Sequence, residues 1–197
     1  MKLVEFREPF QKFSLWFDEA CASEEITEPT ATCLATVDEN GAPSARMILL
    51  KTFDERGFCF FTNFTGRKAQ QLAKNPNAAL CFYWGVLGRQ IRIEGSVEEV
   101  SKAEADDYFA SRRRGSQIGA WASKQSQEMQ NWQEFLDRIS AKEKEFEGKE
   151  VPRPEFWSGF RLVPKRIEFW QEGEFRIHRR DLYERVGDGW NVKIIYP

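Results

Sequence analysis

The stretch TATCLATVDENGAPSARMILLKTF, residues 30–53, decides the fold. It holds two runs rich in apolar and β-branched residues, one on each side of the dipeptide Asn40-Gly41. Asparagine and glycine tolerate the positive φ values of a tight turn between antiparallel strands. The stretch therefore predicts a β-hairpin.

Three more β-rich segments follow this hairpin closely. They are GFCFFTNF (57–64), NAALCFYW (77–84) and RQIRIEGSVEEV (89–100). In the third segment Ile91 and Ile93 alternate with polar side chains, which is the period of a strand with one buried face. Five strands in near succession favour an antiparallel barrel. Residues 160–197 predict further strands, separated by turns at 172–173 and 187–189.

Other segments have helical patterns. Three- to four-residue spacing predicts an opening helix with a buried face formed by Phe10, Phe13, Trp16, Phe17, Ala20 and Cys21. Residues 65–76 predict a short helix, and residues 125–149 predict a surface helix. Another helix starts at Ser101, where Glu104 completes a capping box. If this helix continues past Gly115, one of its faces presents the polar side chains of Tyr108, Arg112 and Ser116.

The composition excludes several classes of function. The 29 basic and 31 acidic side chains nearly cancel, so no global field attracts nucleic acid or an anionic membrane. The N-terminus has no apolar core of signal-peptide length, and no later run approaches the ~20 apolar residues of a membrane span. We therefore expect a cytoplasmic protein. The cysteines are widely spaced and form no C-x-x-C pair, which predicts reduced core residues and no metal site at Cys21, Cys33, Cys59 and Cys81.

Side chains that can donate hydrogen bonds to a bound anion concentrate in residues 46–51, 67–68, 108–116 and 176–180. The last cluster surrounds the only histidine, His178, with arginines, which lower its proton affinity unless an anion lies between them. Arg67 and Lys68 open a helix, where cations oppose the macrodipole unless a phosphate binds there. Solvated basic surfaces are the alternative. Walker, Rossmann and G-x-S-x-G motifs are absent, which argues against the common nucleotide-binding folds and against a serine hydrolase. The four separate clusters indicate more than one phosphate, as in a phosphorylated cofactor beside a phosphorylated substrate.

Long motifs run in order along the chain: RMILLK (46–51), FTNFTGRKAQQLAKNP (61–76), GRQIRIEG (88–95), YFASRRRGSQIGAWASKQS (108–126) and IEFWQEGEFRIHRRDLYER (167–185). Together they resemble the pyridoxine/pyridoxamine 5′-phosphate oxidase family. The resemblance implies a mainly β (α+β) fold, the FMN-binding split β-barrel with flanking helices. It implies one domain over residues 1–197, with a short N-terminal arm (1–8) and C-terminal dimerisation and substrate strands (160–197).

The same resemblance implies an activity and its partners. Members oxidise pyridoxine or pyridoxamine 5′-phosphate to pyridoxal 5′-phosphate and reduce O2 to H2O2, as homodimers with FMN at the subunit interface. The family's FMN contacts match Arg46, Met47, Ile48, Leu49, Leu50, Lys51, Phe61, Thr62, Arg67, Lys68, Gln90, Gln125, Ser126, Trp170 and Arg180. The positions that hold the substrate phosphate match Lys51, Tyr108, Arg112 and Ser116.

Two positions match the pair that borders the substrate's pyridine ring in the family, and they are the candidate catalytic residues Arg176 and His178. We hypothesise that Arg176 covers the open face of the ring and that His178 hydrogen-bonds a polar ring substituent. Both residues are also counted among the substrate contacts.

Two alternative functions stay open beside this reading. A related FMN oxidase of the phenazine-biosynthesis type would act on another ring and would not need the full phosphate set. A non-catalytic flavin-binding protein would keep Arg67 and Lys68 but not the substrate residues. A nucleic-acid binder is a more distant third, since the net basic charge it usually needs is missing.

The sequence departs from the family pattern at three places, one of them conservative, since Ile177 replaces a usual leucine. Only about eight residues precede the first helix, where family members often carry a longer segment that folds over the substrate. Phe61 stands where tyrosine is common. Arg46 and Lys51 also have opposite strand parity, so a bulge or the end of the strand must bring them to one site.

Overall fold

The computed structural model describes residues 2–197 of the chain. The strands are β1 (Lys2–Glu5), β2 (Ala31–Val37), β3 (Pro43–Leu49), β4 (Thr52–Asp54), β5 (Gly57–Asn63), β6 (Asn77–Trp84), β7 (Arg89–Glu99), β8 (Trp157–Gln171), β9 (Arg179–Val186) and β10 (Gly189–Ile195). The helices are α1 (Glu8–Ala22), α2 (Arg67–Lys74), α3 (Lys102–Ser111), α4 (Arg114–Ala122) and α5 (Trp132–Glu145). Two 3-10 turns lie at Gly85–Leu87 and Glu174–Arg176.

The strands form one antiparallel network. Its order is β1-β10-β9-β8-β7-β6-β2-β3, while β5 pairs with β8 and β4 pairs with β5. Among the described residues the ladder ends at β1 and at β3, so hydrogen bonding does not close the sheet. The predicted mainly β class with flanking helices is confirmed, and the predicted barrel is open along β3.

The stretch 30–53 forms the predicted hairpin, with a wider turn than Asn40-Gly41 indicated. The pairing of β2 with β3 ends at Val37↔Pro43, so residues 38–42 form the connection. The Asp38 carboxylate accepts hydrogen bonds from the N–H groups of Asn40 and Ala42, both at 2.9 Å. Only Gly41 of the dipeptide has a positive φ, +84°. The Asp38 side chain therefore closes a turn that the dipeptide alone does not define.

Strand β8 bends in its middle and divides its partners between two halves. Its first half pairs with β5, and its second half pairs with β9. The register with β7 shifts between Glu94 and Gly95, where an added Cβ would lie 2.0 Å from the Val163 carbonyl oxygen. Only glycine permits this close approach of the two backbones. The bend separates the two ends of β8, which carry different side-chain clusters.

The core lies between α1 and the sheet and is rich in phenylalanine. Phe13 is fully buried, with ring centroids 4.8 Å from Phe58 and 5.4 Å from Phe82 in edge-to-face geometry. A second, smaller core holds α3, α4 and α5 against the start of β8 through Phe109, Ile118, Phe146, Val151 and Trp157. The predicted inward face of α1 is correct except at its end, because Cys21 is exposed. Cys59 is buried, and Cys33 and Cys81 are half-buried.

Two predicted helices have different bounds in the structure. α3 begins at the predicted capping box but ends at Ser111, and the backbone is extended at Arg112, with ψ at 149°. The condition for one shared face of Tyr108, Arg112 and Ser116 is therefore not met, since α3 does not continue past Gly115 and Ser116 belongs to α4. The surface helix begins only at Trp132, and its N-cap is Asn131. Residues 125–131 are irregular, with Ser126 at φ +66°.

The predicted N-terminal arm, residues 1–8, contributes a strand to the sheet. Lys2–Glu5 pairs with β10, from Lys2↔Val192 to Glu5↔Gly189, whereas Met1 lies outside the described residues. Within residues 2–197 every helix is too short or too polar to cross a bilayer.

Candidate functional site

A cavity of about 480 Å³ opens between the end of β3, the end of β5 and helices α2, α3 and α4. It gathers many of the predicted site residues: Met47, Ile48, Leu49, Lys51, Phe61, Thr62, Lys68, Tyr108, Arg112, Ser116 and Gln125. These residues come from segments that are up to 78 positions apart in sequence, from 47 to 125. The fold therefore brings part of the predicted flavin positions and all four predicted substrate-phosphate positions to one cavity.

The cavity is positively charged. Lys51, Lys68 and Arg112 line it, and no described lining residue is an aspartate or a glutamate. None of these three cations forms an ion pair with any carboxylate in the part of the chain that the structure describes. Lys68 and Arg112 are half-buried and Lys51 is exposed. Cations that are withdrawn from water are normally paired, so this arrangement is suited to an anionic ligand.

Lys68 has only neutral hydrogen-bond partners. Its Nζ donates to Thr62 Oγ1 at 3.0 Å and to Gln125 Oε1 at 2.7 Å. Burial, and then the charge of Arg46, hold the pKa of Lys68 below its ordinary value. Gly66, directly before α2, leaves room for Gln125, because a Cβ there would lie 2.5 Å from Gln125 Oε1. Lys68 is thus held in place without being neutralised.

Arg112 reaches the cavity because α3 ends just before it. Its guanidinium lies over the rings of Trp157, at 4.8 Å, and Phe109, at 5.5 Å. The Nη1 atom is buried and has no hydrogen-bond partner among residues 2–197, and burial lowers the pKa of Arg112. A buried guanidinium N–H without an acceptor is costly unless a ligand supplies one.

Three aromatic rings form one wall of the cavity. Phe61 stacks on Tyr108 with centroids 4.1 Å apart and on Trp157 at 5.4 Å. Burial raises the pKa of Tyr108, so its phenol is a neutral hydrogen-bond donor near pH 7. Phenylalanine at position 61 keeps this stack without the hydroxyl. Trp157 was not predicted as a site residue, and its only signal in the sequence is that of a large aromatic residue at the start of a strand.

A second cluster lies at the other end of β8. Trp170 pairs in register with Gln90 on β7 and with Arg180 on β9, and its ring centroid is 4.6 Å from that of His178. The Nδ1 atom of His178 accepts a hydrogen bond from the N–H of Gly173 at 3.3 Å. Arg180 donates from Nε to Glu168 at 2.8 Å. These predicted residues are adjacent to each other but do not line the 480 Å³ cavity.

The segment around Arg176 is a turn, not the predicted strand. Phe175 and Arg176 both have left-handed backbone, at φ +54° and +64°, and β9 begins only at Arg179. Two consecutive non-glycine residues in this region store strain, which is common at functional sites. Phe175 is 89% exposed and Arg176 is exposed as well.

The remaining predicted residues lie around the cavity without lining it. Leu50 is buried in the main core, Arg67 is exposed at the first position of α2, and Ser126 lies in the 125–131 loop. The strand-parity conflict remains in the structure, because Lys51 lines the cavity beyond the end of β3 at Leu49 and Arg46 does not line it. Lys51 donates its N–H to the carbonyl of Cys59 at 2.9 Å.

Arg46 points to the other side of β3, towards α2. Its Nη1 donates to Thr36 Oγ1 at 2.6 Å, and its Nη2 donates to Gln71 Oε1 at 3.4 Å. Burial, and then the charge of Arg67, lower the pKa of Arg46. Arg46, Arg67 and Lys68 therefore lie within electrostatic range of one another beside the cavity.

Comparison with known proteins agrees with this arrangement. Residues 17–143 match the family model described as pyridoxamine 5′-phosphate oxidase, and residues 157–197 match the model of the pyridoxine 5′-phosphate oxidase C-terminal dimerisation region. The chain belongs to the pyridoxamine 5′-phosphate oxidase family. The second cluster, from Trp170 to Arg180, lies within the family's dimerisation region.

Individual members of this family cover nearly the whole chain. A relative from Rubrobacter xylanophilus, named pyridoxine/pyridoxamine 5′-phosphate oxidase, is 52% identical over 96% of this chain and 87% of its own length. The crystal structure of PhzG from Burkholderia lata, in complex with tetrahydrophenazine-1-carboxylic acid, has a TM-score of 0.90 at 31% identity, over 96% of this chain and 92% of that one. A Nostoc punctiforme protein described as pyridoxamine 5′-phosphate oxidase-related and FMN binding shares the fold, with a TM-score of 0.75 at 18% identity over 92% of this chain and 95% of that one.

Proposed function

We propose that the protein is an FMN-dependent oxidase that converts pyridoxine or pyridoxamine 5′-phosphate to pyridoxal 5′-phosphate, with reduction of O2 to H2O2. The observation that carries this proposal is the carboxylate-free cavity in which Lys51, Lys68 and Arg112 meet. Such a cavity is suited to phosphorylated ligands, and the family membership supplies the reaction.

The residues on one side of the cavity fit FMN. Lys68 is buried with neutral partners, and Arg46 and Arg67 add charge beside it, so a phosphate would balance cations that the protein leaves unpaired. The strand residues Met47 to Leu49, with Thr62 and Gln125, would hold the rest of the cofactor. When bound, FMN supplies the acceptor for the electrons that leave the substrate.

The residues on the other side fit the phosphate of the substrate. The free Nη1 of Arg112, the neutral phenol of Tyr108 and the hydroxyl of Ser116 are donors, and Lys51 adds a second charge. Anchoring the phosphate fixes the position of the pyridine ring, which is an orientation effect on the rate. The stacked rings of Phe61 and Trp157 exclude water from this side.

We infer that the second cluster completes the cavity of a partner subunit in a homodimer. Trp157 and Trp170 are at opposite ends of the bent strand β8, which spans roughly 40 Å at about 3.3 Å per residue if straightened. A second copy would bring Arg176 and His178 to the substrate. Because the Gly173 N–H occupies Nδ1, His178 would donate from Nε2 to a polar ring substituent. Arg176 would cover the open face of the ring.

The proposal is tested by reconstituting the protein with FMN and measuring pyridoxal 5′-phosphate and H2O2 together. We expect equal amounts of both from pyridoxine 5′-phosphate, and little turnover of unphosphorylated pyridoxine. An FMN-loaded protein that forms no pyridoxal 5′-phosphate from either phosphorylated vitamer would contradict the proposal.

A second candidate is an FMN oxidase acting on a larger, unphosphorylated ring. The structural similarity to PhzG favours keeping it as an alternative. Arg112→Met separates the two functions, because loss of the guanidinium would weaken recognition of a phosphorylated substrate and would spare an unphosphorylated one.

A further inference from the structure

A buried chain of polar side chains lies beneath α2 and ends on Arg46. Thr36 Oγ1 donates to Gln71 Oε1 at 2.7 Å and accepts from Arg46 Nη1 at 2.6 Å. Gln71 Nε2 donates to Ser44 Oγ at 3.0 Å, so both ends of its amide are hydrogen-bonded. The network fixes the orientation of the Gln71 amide and, through it, that of the Arg46 guanidinium.

The positions of Thr36 and Gln71 would be occupied by apolar residues if packing alone mattered. Thr36 is 0% exposed and Gln71 is 6% exposed, and both adjoin core positions such as Leu34 and Leu72. Replacing a buried, paired hydroxyl and amide by apolar groups of the same shape is often nearly neutral for stability. The polar atoms of Thr36 and Gln71 form hydrogen bonds with each other, with Ser44 and with Arg46. Core stability therefore does not require this network.

The partners of Arg46 are neutral throughout. Besides its hydrogen bonds to Thr36 and Gln71, Arg46 donates from Nη1 to two backbone carbonyls among the described residues, those of Leu34, at 3.2 Å, and Ser44, at 3.4 Å. No carboxylate within the described range pairs with Arg46, although Arg67 and Lys68 are close enough to repel it. The guanidinium is thus oriented while its full charge remains available to a ligand.

We propose that Thr36 and Gln71 are positioning residues that orient Arg46 towards the phosphate of the cofactor without neutralising it. They act through Arg46, which lies beside the cavity within electrostatic range of Lys68, and none of the three residues lines the cavity itself. This inference rests on the proposed function, since it assumes that FMN is the anion bound beside Arg46, Arg67 and Lys68.

Three variants test it by FMN titration of the apo-protein and by the melting temperature of the apo-protein. Thr36→Val keeps the shape and removes the hydroxyl, so FMN should bind about 2- to 12-fold more weakly, the value of one neutral hydrogen bond. Thr36→Ser restores the hydroxyl and should recover most of the affinity. Gln71→Glu places a carboxylate beside Arg46, so FMN binding should weaken on the order of tenfold or more while the apo-protein melts no lower than wild type. Gln70→Met, on the exposed side of α2, is the matched control and should bind normally.

The opposite effects of Gln71→Glu on affinity and on stability distinguish positioning from a merely structural role. If Thr36→Val does not fold, Gln71→Glu decides alone. FMN affinity equal to wild type in Gln71→Glu, or a loss of affinity that only parallels a lower melting temperature, would overturn the inference. Wild-type apo-protein that binds no FMN would instead refute the proposed function, and the inference with it.

Discussion

Replacing Lys68 with methionine should weaken FMN binding without lowering the stability of the apo-protein. Lys68 is buried beside Thr62 and Gln125, which also hydrogen-bond each other at 3.1 Å. A charge-assisted hydrogen bond contributes about 1.5–3 kcal/mol, so its loss should weaken FMN binding on the order of 10- to 150-fold. The apo-protein should unfold at the same temperature or higher, because burial already lowers the pKa of Lys68 and disfavours its charged form.

The assay is a titration of FMN with apo-protein, followed by the quenching of flavin fluorescence, together with thermal unfolding of both apo-proteins. Lys74→Met is the matched control, since Lys74 is exposed in the last turn of the same helix. An FMN affinity of Lys68→Met within about twofold of wild type would refute the reasoning. An equal loss of FMN affinity in Lys74→Met would also contradict it, because the loss would then come from the lower net charge of the protein and not from the position of Lys68.

Three further variants test neighbouring parts of the account. Hydrogen bonds from Ser101, backbone first, and from Arg161 lower the pKa of Glu104 from 4.5 to about 2. The ionised carboxylate of Glu104 therefore stabilises the folded protein above pH 4.5, and this contribution is lost as the pH falls towards 2. Glu104→Gln should lower the free energy of unfolding by about 1–2 kcal/mol at neutral pH, a value discounted for the partial exposure of the carboxylate, and should change it little in acid. Urea unfolding at both pH values measures this difference. Arg112→Met should raise KM for the phosphorylated substrate on the order of 10- to 100-fold with FMN affinity unchanged, which steady-state kinetics and the titration together check. Gly66→Ala should displace Gln125 from Lys68 and weaken FMN binding about 2- to 10-fold in the same titration.

The strands were predictable because their signals are local. Ile91 and Ile93 are fully buried and alternate with half-buried polar residues, as their spacing predicts. The capping box at Ser101 starts α3 for the same reason, since both partners lie within one turn.

The end of α3 was not predictable from local sequence. Arg112 has a good intrinsic helix propensity, yet it leaves the helix, and its guanidinium lies over Trp157, which is 45 positions away. Tertiary contact overrides propensity at this point. The start of α5 was misplaced by a similar cause, because the loop from Gln125 brings that side chain to Lys68 instead of continuing a helix.

The motifs supplied the candidate site residues, but not which of them lie together within one chain. The motifs identified Lys68 and Trp170 alike, since a family resemblance aligns positions without placing them in space. The bend of β8 and the pairing of its two halves with different strands decide which residues meet. Thr36 lies outside the quoted motifs, and Gln71 lies within the motif 61–76 without being distinguished from its neighbours. Each looks like an ordinary strand or helix residue until Arg46 is seen between them.

The most direct test of the central claim is the visible flavin spectrum of the FMN-loaded protein during anaerobic addition of pyridoxine 5′-phosphate. We expect the absorption of oxidised flavin to bleach when the substrate is added and to return when air is admitted, because the electrons of the substrate pass to the cofactor and then to O2. A protein that binds FMN tightly but keeps its absorption unchanged with both phosphorylated vitamers would contradict the claim.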